Sequence, residues 1–137
     1  KERLTLRKDA GRFEIGYPHV DGIYGLGLVA EKNNSLGRKE IEEYACGLAD
    51  YFRAKVEETD GISLKYDFPQ ENRCQVVYVI VDDSIGINDN DFAKAKIFAH
   101  LSNVKEKAGK GIRVSFHYYN NENDIDRFFN LIEGGKK

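Results

Sequence analysis

The stretch GIRVSFHYYNNENDID, residues 111–126, places an arginine, a serine and a histidine at two-residue steps among apolar neighbours. In a strand, that alternation sends Arg113, Ser115 and His117 to one face and Ile112, Val114, Phe116 and Tyr118 to the other. The apolar set belongs in a core. The polar set begins with a guanidinium, whose planar fork matches the two oxygens of a carboxylate. Two uses fit such an arginine. It can grip a carboxylate ligand, or it can pair across the sheet with an acid on a neighbouring strand, the commoner fate of a strand arginine.

Other chemistry-bearing residues are sparse. His19 and His100 are dispersed and show no metal-ligand spacing. Cys46 and Cys74 lack the C-x-x-C spacing of zinc or redox sites, and Cys74, just before an apolar run, reads as a small core residue. GIYGLG (22–27) follows no strand and has the wrong spacing for a dinucleotide fingerprint. YYNN (118–121) offers rings for stacking on bases, but the acidic NENDID (121–126) beside it argues against nucleic acid. A formal net charge of −2 gives no general attraction to nucleic acid or to an anionic membrane. No apolar run approaches the ~20 residues that span a bilayer. The sequence therefore predicts neither a nucleic-acid nor a membrane partner, and a reducing, cytoplasmic setting.

The 137 residues fit one domain, long enough to bury a core without disulfides or metal. Residues 1–18 read as irregular to extended, with Pro18 placed to open a helix. Asp21 to Lys32 reads as a helix with Ile23, Leu26 and Ala30 on one face, ended by NNSLG (33–37). Gly22, Gly25 and Gly27 weaken it by about 1 kcal/mol each and suit close packing against another backbone. From Arg38 to Glu58, Ile41, Tyr44, Ala45, Leu48, Phe52 and Val56 recur at helical steps, and TDG (59–61) stops them. ISLKYDF (62–68) alternates like a half-buried strand, and QVVYVIV (75–81) reads as a central strand covered on both faces.

DDSIGINDND (82–91) is a loop delivering Asp89 or Asn90 as a helix cap. The helix it opens runs from Asp91 to His100, with Phe92, Ala95 and either Phe98 or Ala99 inward. SNVKEKAGKG (102–111) is polar, with room for a short edge strand. The strand 112–118 follows, then a helix with Ile125, Phe128, Phe129 and Ile132 on one face and Asn121 with Asp124 as a capping pair. The order α-α-β-β-α-β-α predicts an α+β domain, with helices on one face of a small, mostly antiparallel sheet. The other face is free for a further domain.

Two blocks carry a resemblance. Arg113-Val114-Ser115, then Tyr119-Asn120, then Asp124-Ile125-Asp126 resembles the C-terminal signature of the class V aminotransferases, the pyridoxal-phosphate family that includes cysteine desulfurases and selenocysteine lyases. GRFEIGYPHVDGIYGLG (11–27) is similar to the family's Arg-Phe-Glu-x-Gly stretch. The resemblance covers roughly 11–133 and implies the C-terminal domain of a fold-type I enzyme, with 1–18 at the junction to an absent large domain and 19–137 as the small domain. It implies that Arg113 binds the α-carboxylate of an amino-acid substrate; Ser115 and His117, on the same face, are further candidates for substrate binding. Gly16 would lie near the cofactor phosphate, and Tyr17 stands where the family usually has threonine or serine. Arg12 and Glu14 suit a structural ion pair.

The same resemblance places the Schiff-base lysine on the large domain, and no lysine here sits in a Ser-x-His-Lys setting. The chain is thus expected to close the active site and hold the substrate carboxylate without catalysing alone. Pyridoxal phosphate would be bound by the full enzyme, a homodimer, and not by this piece. Desulfurases carry a nucleophilic cysteine before the Arg-x-Ser strand; residues 82–112 hold none, so a persulfide mechanism has no support. The absence of methionine, even at position 1, fits an excised domain. The choice among transamination, elimination and epimerisation is unset. A free-standing α+β binding module without enzymatic activity remains the alternative.

Overall fold

The computed structural model describes residues 5–13, 16–99, 101–103 and 109–135. The chain forms two compact units, Lys1–Gly37 and Arg38–Lys137. In the first, a short 3-10 turn at Ala10–Phe13 precedes helix α1, Val20–Leu36. The helix opens where His19 Nδ1 accepts the Gly22 N–H at 3.0 Å. It does not end at Lys32, because Asn33 to Leu36 keep helical geometry until Gly37 takes a φ of 88°. Helix α1 buries no side chain; Ile23, Leu26 and Val29 are all more than half exposed. A Cβ at Gly25 or Gly27 would meet nothing within 4 Å.

The second unit holds the sheet. Helix α2, Arg38–Glu58, spans the predicted residues and buries Ala45, Leu48, Ala49, Phe52 and Val56. Tyr44, predicted inward, is exposed at the edge of that face and donates its hydroxyl hydrogen bond to Asn120 O at 3.0 Å. Strands β1 (Ile62–Leu64), β2 (Val76–Asp82), β3 (Ser102–Asn103) and β4 (Gly109–Ser115) lie in the order β1-β2-β4-β3, every neighbour antiparallel. Helices α3 (Asp89–Lys94) and α4 (Glu122–Gly134) complete the unit. Phe52 of α2 packs within 5.5 Å, centroid to centroid, of Phe116, Phe128 and Phe129. With Val77, Val79, Val81, Phe92, Ile112, Ile125 and Ile132 these rings form one continuous core. The α+β class with helices on one sheet face is as the sequence predicts.

Several boundaries differ from the sequence prediction. Strand β1 stops at Leu64 rather than 68, because the chain turns off towards Pro69, and Arg73 holds that loop through Phe68 O (2.8 Å) and Asp67 Oδ1 (3.1 Å). Cys74 lies in that loop and is exposed, not in the core. Strand β2 is buried on both faces only in its second half: Ile80 is buried on the face opposite Val79 and Val81, whereas Val76 is exposed.

Helix α3 is capped by Asn88, in a reciprocal box with Asp91, rather than by Asp89 or Asn90. It ends after six residues. Lys96 takes a left-handed φ of 56°, Lys96 N–H bonds Ala93 O at 3.1 Å, and Ile97 N–H bonds Phe92 O at 2.9 Å. This paired ending usually needs glycine at the position of Lys96. It turns Phe98 fully into solvent; His100 lies outside the described residues.

Candidate carboxylate-binding site

Strand β4 is hydrogen-bonded to β2 with Tyr78 opposite Arg113, Val79 opposite Ile112 and Val76 opposite Ser115. Ile112 and Val79 are fully buried under the helices, so the pleat turns Arg113 and Ser115 to the other face, where both are exposed. The residue across from Arg113 is thus a tyrosine, not an acid. Among the described residues the Arg113 guanidinium makes no ion pair and no hydrogen bond. Of the two uses open to this arginine, the cross-strand ion pair is not the one made here.

Tyr78 builds the wall beside it. Ser102 Oγ donates to Gly111 O at 3.0 Å, which leaves the Tyr78 hydroxyl to donate to Ser102 Oγ across 3.2 Å. Tyr78, Phe98, Ala99, Ser102 and Arg113 line an open cavity of about 520 Å³. Arg113 also lines a second cavity of about 420 Å³, whose apolar side is Phe52, Phe116, Ile125 and Phe128. Its polar side adds Lys96, Ser115, Asp124 and Arg127. Tyr78, Lys96 and Arg127 escaped the sequence analysis. The alternation in QVVYVIV marks Tyr78 as the polar residue opposite Val77 and Val79, but nothing in the sequence marks Lys96.

The structure joins Arg113 and Ser115 at one cavity and leaves His117 out of both linings. Pairing with β2 ends at Ser115; the Phe116 N–H still bonds Gln75 O at 3.0 Å, and a turn follows. His117 N–H donates to Asn120 Oδ1 at 3.0 Å, and its ring stacks on Tyr119 with centroids 4.9 Å apart. Tyr118, predicted inward, is exposed because the alternation has ended. Gly16 and Tyr17 belong to the first unit. Gly16 has a φ of 81° with open space around it, and Tyr17 is almost fully exposed. The Arg12 guanidinium lies over the Phe13 ring, 4.6 Å from its centroid; Glu14, its predicted partner, lies outside the described residues.

No other chemistry competes within the described residues. No group of three histidine, cysteine or carboxylate side chains converges on a possible metal position. Burial, then the neighbouring Glu42 carboxylate, pushes the Cys46 thiol up from its ordinary pKa, which disfavours a thiolate nucleophile. No described helix is long and apolar enough to cross a membrane.

Against known proteins, a family model for class V aminotransferases matches residues 1–128. The chain belongs to the class V aminotransferase family. It is 26% identical over 144 residues to a probable cysteine desulfurase of Methanothermobacter thermautotrophicus, a match covering 97% of this chain and 36% of that protein. A Shigella flexneri cysteine desulfurase is 36% identical over 76 residues, covering 56% of this chain and 18% of its own length. Among solved structures, the apo cysteine desulfurase of Thermococcus onnurineus superposes with a TM-score of 0.72 at 21% identity, over 95% of this chain and 34% of its own. A NifS-like protein of Rickettsia africae gives 0.69 at 16% identity, over 98% and 39%. These likenesses confirm the fold. The class V chain here spans about a third of the length of the relatives that cover most of it.

Family enzymes use pyridoxal phosphate, but the Arg113 cavity does not fit that group. Asp124, its carboxylate, has Oδ2 engaged by the Asn121 N–H at 3.1 Å, and Lys96 is exposed rather than enclosed. The cavity offers a guanidinium and an apolar side, and no cofactor step follows from these residues.

Proposed function

We propose that this chain provides the substrate-carboxylate side of a class V pyridoxal-phosphate enzyme, with Arg113 as the clamp and Ser115 beside it. The observation that carries this proposal is an exposed guanidinium on a hydrogen-bonded strand, without an ion-pair partner among the described residues, at the edge of a cavity with an apolar side. A clamp on a strand loses little further freedom when it binds, so more of its interaction with the carboxylate is realised. The Schiff-base chemistry belongs to a lysine outside this chain, on a large domain that this unit closes over. Closure would exclude water and fix the amino acid with its Cα–H bond facing the reacting lysine. Gly16 and Tyr17 would approach the cofactor phosphate, Gly16 through its left-handed turn and Tyr17 through its exposed hydroxyl. The functional assembly would be a homodimer acting on an amino acid.

Arg113→Lys in the full-length enzyme tests the clamp, because lysine keeps the charge and loses the bidentate fork. Amino-acid binding should weaken by about 1–3 kcal/mol, roughly 5- to 150-fold, while a substrate-derived amine lacking the carboxylate should bind as before. Unchanged amino-acid affinity would sink the assignment.

A further inference from the structure

The cavity beside Arg113 has more positive charge than one carboxylate requires. Lys96, Arg113 and Arg127 all line it, and Asp124 is the acid among its lining residues. Asp124 Oδ2 accepts the Asn121 N–H at 3.1 Å in the cap of α4, and its single negative charge leaves the three cations in excess. None of the three cations has an ion pair among the described residues. Lys96 stands there in a left-handed backbone conformation, φ 56°, at a helix end where glycine is the usual and less strained residue. A lysine in a strained backbone position, at the edge of a cavity that two arginines also line, is a reason to look for a ligand.

We propose that this site takes an amino acid bearing a second anionic group on its side chain, a carboxylate or an acid of similar shape. Arg113 holds the α-carboxylate, and Lys96 with Arg127 receives the distal anion. The proposal rests on Arg113 being the α-carboxylate clamp and adds the substrate class to it. Ile97, Phe98 and Ala99, lining residues that reach solvent, give the cavity an apolar side that suits the methylenes joining the two anions. An uncharged substrate side chain would gain nothing from Lys96 and Arg127, so the pair favours a diacid over a neutral amino acid.

Calorimetry on the full-length enzyme, with L-aspartate and L-glutamate against the neutral L-norvaline, which shares glutamate's carbon chain, separates the possibilities. The better diacid should bind at least tenfold tighter than norvaline. Lys96→Gln or Arg127→Gln should each remove several-fold of that preference and leave norvaline unchanged, while Arg113→Lys should weaken all three ligands. Absence of a diacid preference, or an equal loss for norvaline and diacid in the Gln variants, overturns the substrate class and leaves the clamp standing if Arg113→Lys still weakens binding. Binding that ignores Arg113→Lys overturns the clamp and this proposal with it.

Discussion

Tyr78 and Arg113 stand directly opposite each other on β2 and β4, and the Tyr78 ring lies over Gly111 to bring its hydroxyl to Ser102 on β3. One side chain thus ties three strands together beside Arg113. A Cβ at Gly111 would collide with the Tyr78 hydroxyl and come within 2.9 Å of its ring carbons, so the glycine is what lets the tyrosine cross the strand. Strand β3 is only two residues long and depends on such a tie for its place at the sheet edge.

Gly111→Ala should displace Tyr78 and lower stability by about 1–3 kcal/mol, the usual range for overpacking. Tyr78→Phe should lose only the hydrogen bond, about 0.5–1.5 kcal/mol. In the double variant Gly111→Ala/Tyr78→Ala, the alanine penalty should be largely absent, because the colliding ring is gone. A thermodynamic cycle from denaturant unfolding reads the coupling. Additive effects would show that Tyr78 and Gly111 are not in contact in solution.

A second tie joins α2 to α4. Lys55 Nζ lies 2.7 Å from Asp126 Oδ1, and the Tyr51 hydroxyl donates to the same oxygen at 2.8 Å. The Lys55 hydrogen bond, then that of Tyr51, holds the Asp126 carboxyl below its ordinary range, whereas Asp126 raises both Tyr51 and Lys55. A depressed acid contributes stability present above the unfolded aspartate value near 4 and lost as pH falls through the folded value. The raised partners contribute stability present below about pH 10 and lost as pH rises through their folded values. The difference in Tm between wild type and Asp126→Asn should therefore be largest between about pH 5 and 9 and shrink at both extremes. A constant difference from about pH 2 to pH 11 would refute the linkage.

Long periodic segments were legible in the sequence for a physical reason. Helix α2 and helix α4 each bury one continuous stripe, so apolar spacing reports them directly. The same holds for the alternation that put Arg113 opposite Ile112. What escaped depends on local backbone detail. The run from Asp91 to Phe98 has helical spacing, yet Lys96 adopts a left-handed conformation that composition does not announce. His117 kept the two-residue rhythm in sequence after Ser115 had already ended the pairing, so its place beside Arg113 was lost in the turn closed by Asn120. The apolar run after Cys74 predicts it inward, but the loop anchored by Arg73 keeps it outside. Tyr78 and Ser102 meet only because β4 lies between β2 and β3, a fact of topology beyond any local pattern.

The turn after β4, closed by Asn120, leads into the cap of α4. Asn121 Oδ1 accepts the Asp124 N–H at 3.3 Å, and Asp124 Oδ2 accepts the Asn121 N–H at 3.1 Å. Asn121→Ala should cost about 0.5–2 kcal/mol by denaturant unfolding. Asn121→Ser should recover most of it, since a serine hydroxyl can take the same N–H. Failure of serine to recover stability would mean that Asn121 acts through something other than its cap.

Lys96 separates stability from selectivity. Its φ of 56° places a side chain in a region that L-residues enter at roughly 1–2 kcal/mol, and the paired hydrogen bonds from Lys96 N–H and Ile97 N–H hold it there. Lys96→Gly removes that strain but enlarges the conformational freedom of the unfolded chain, which offsets roughly 0.4–1 kcal/mol of the gain. The net should be a protein as stable as the wild type or up to about 1.5 kcal/mol more stable. Lys96→Ala keeps the strain while deleting the charge, so its stability should stay near that of wild type. Both variants should lose diacid preference to the same extent, because both lack the ammonium that meets the distal anion. A Lys96→Gly protein less stable than Lys96→Ala would show that the backbone at this position is not strained, and the lysine would need no functional reason to be there.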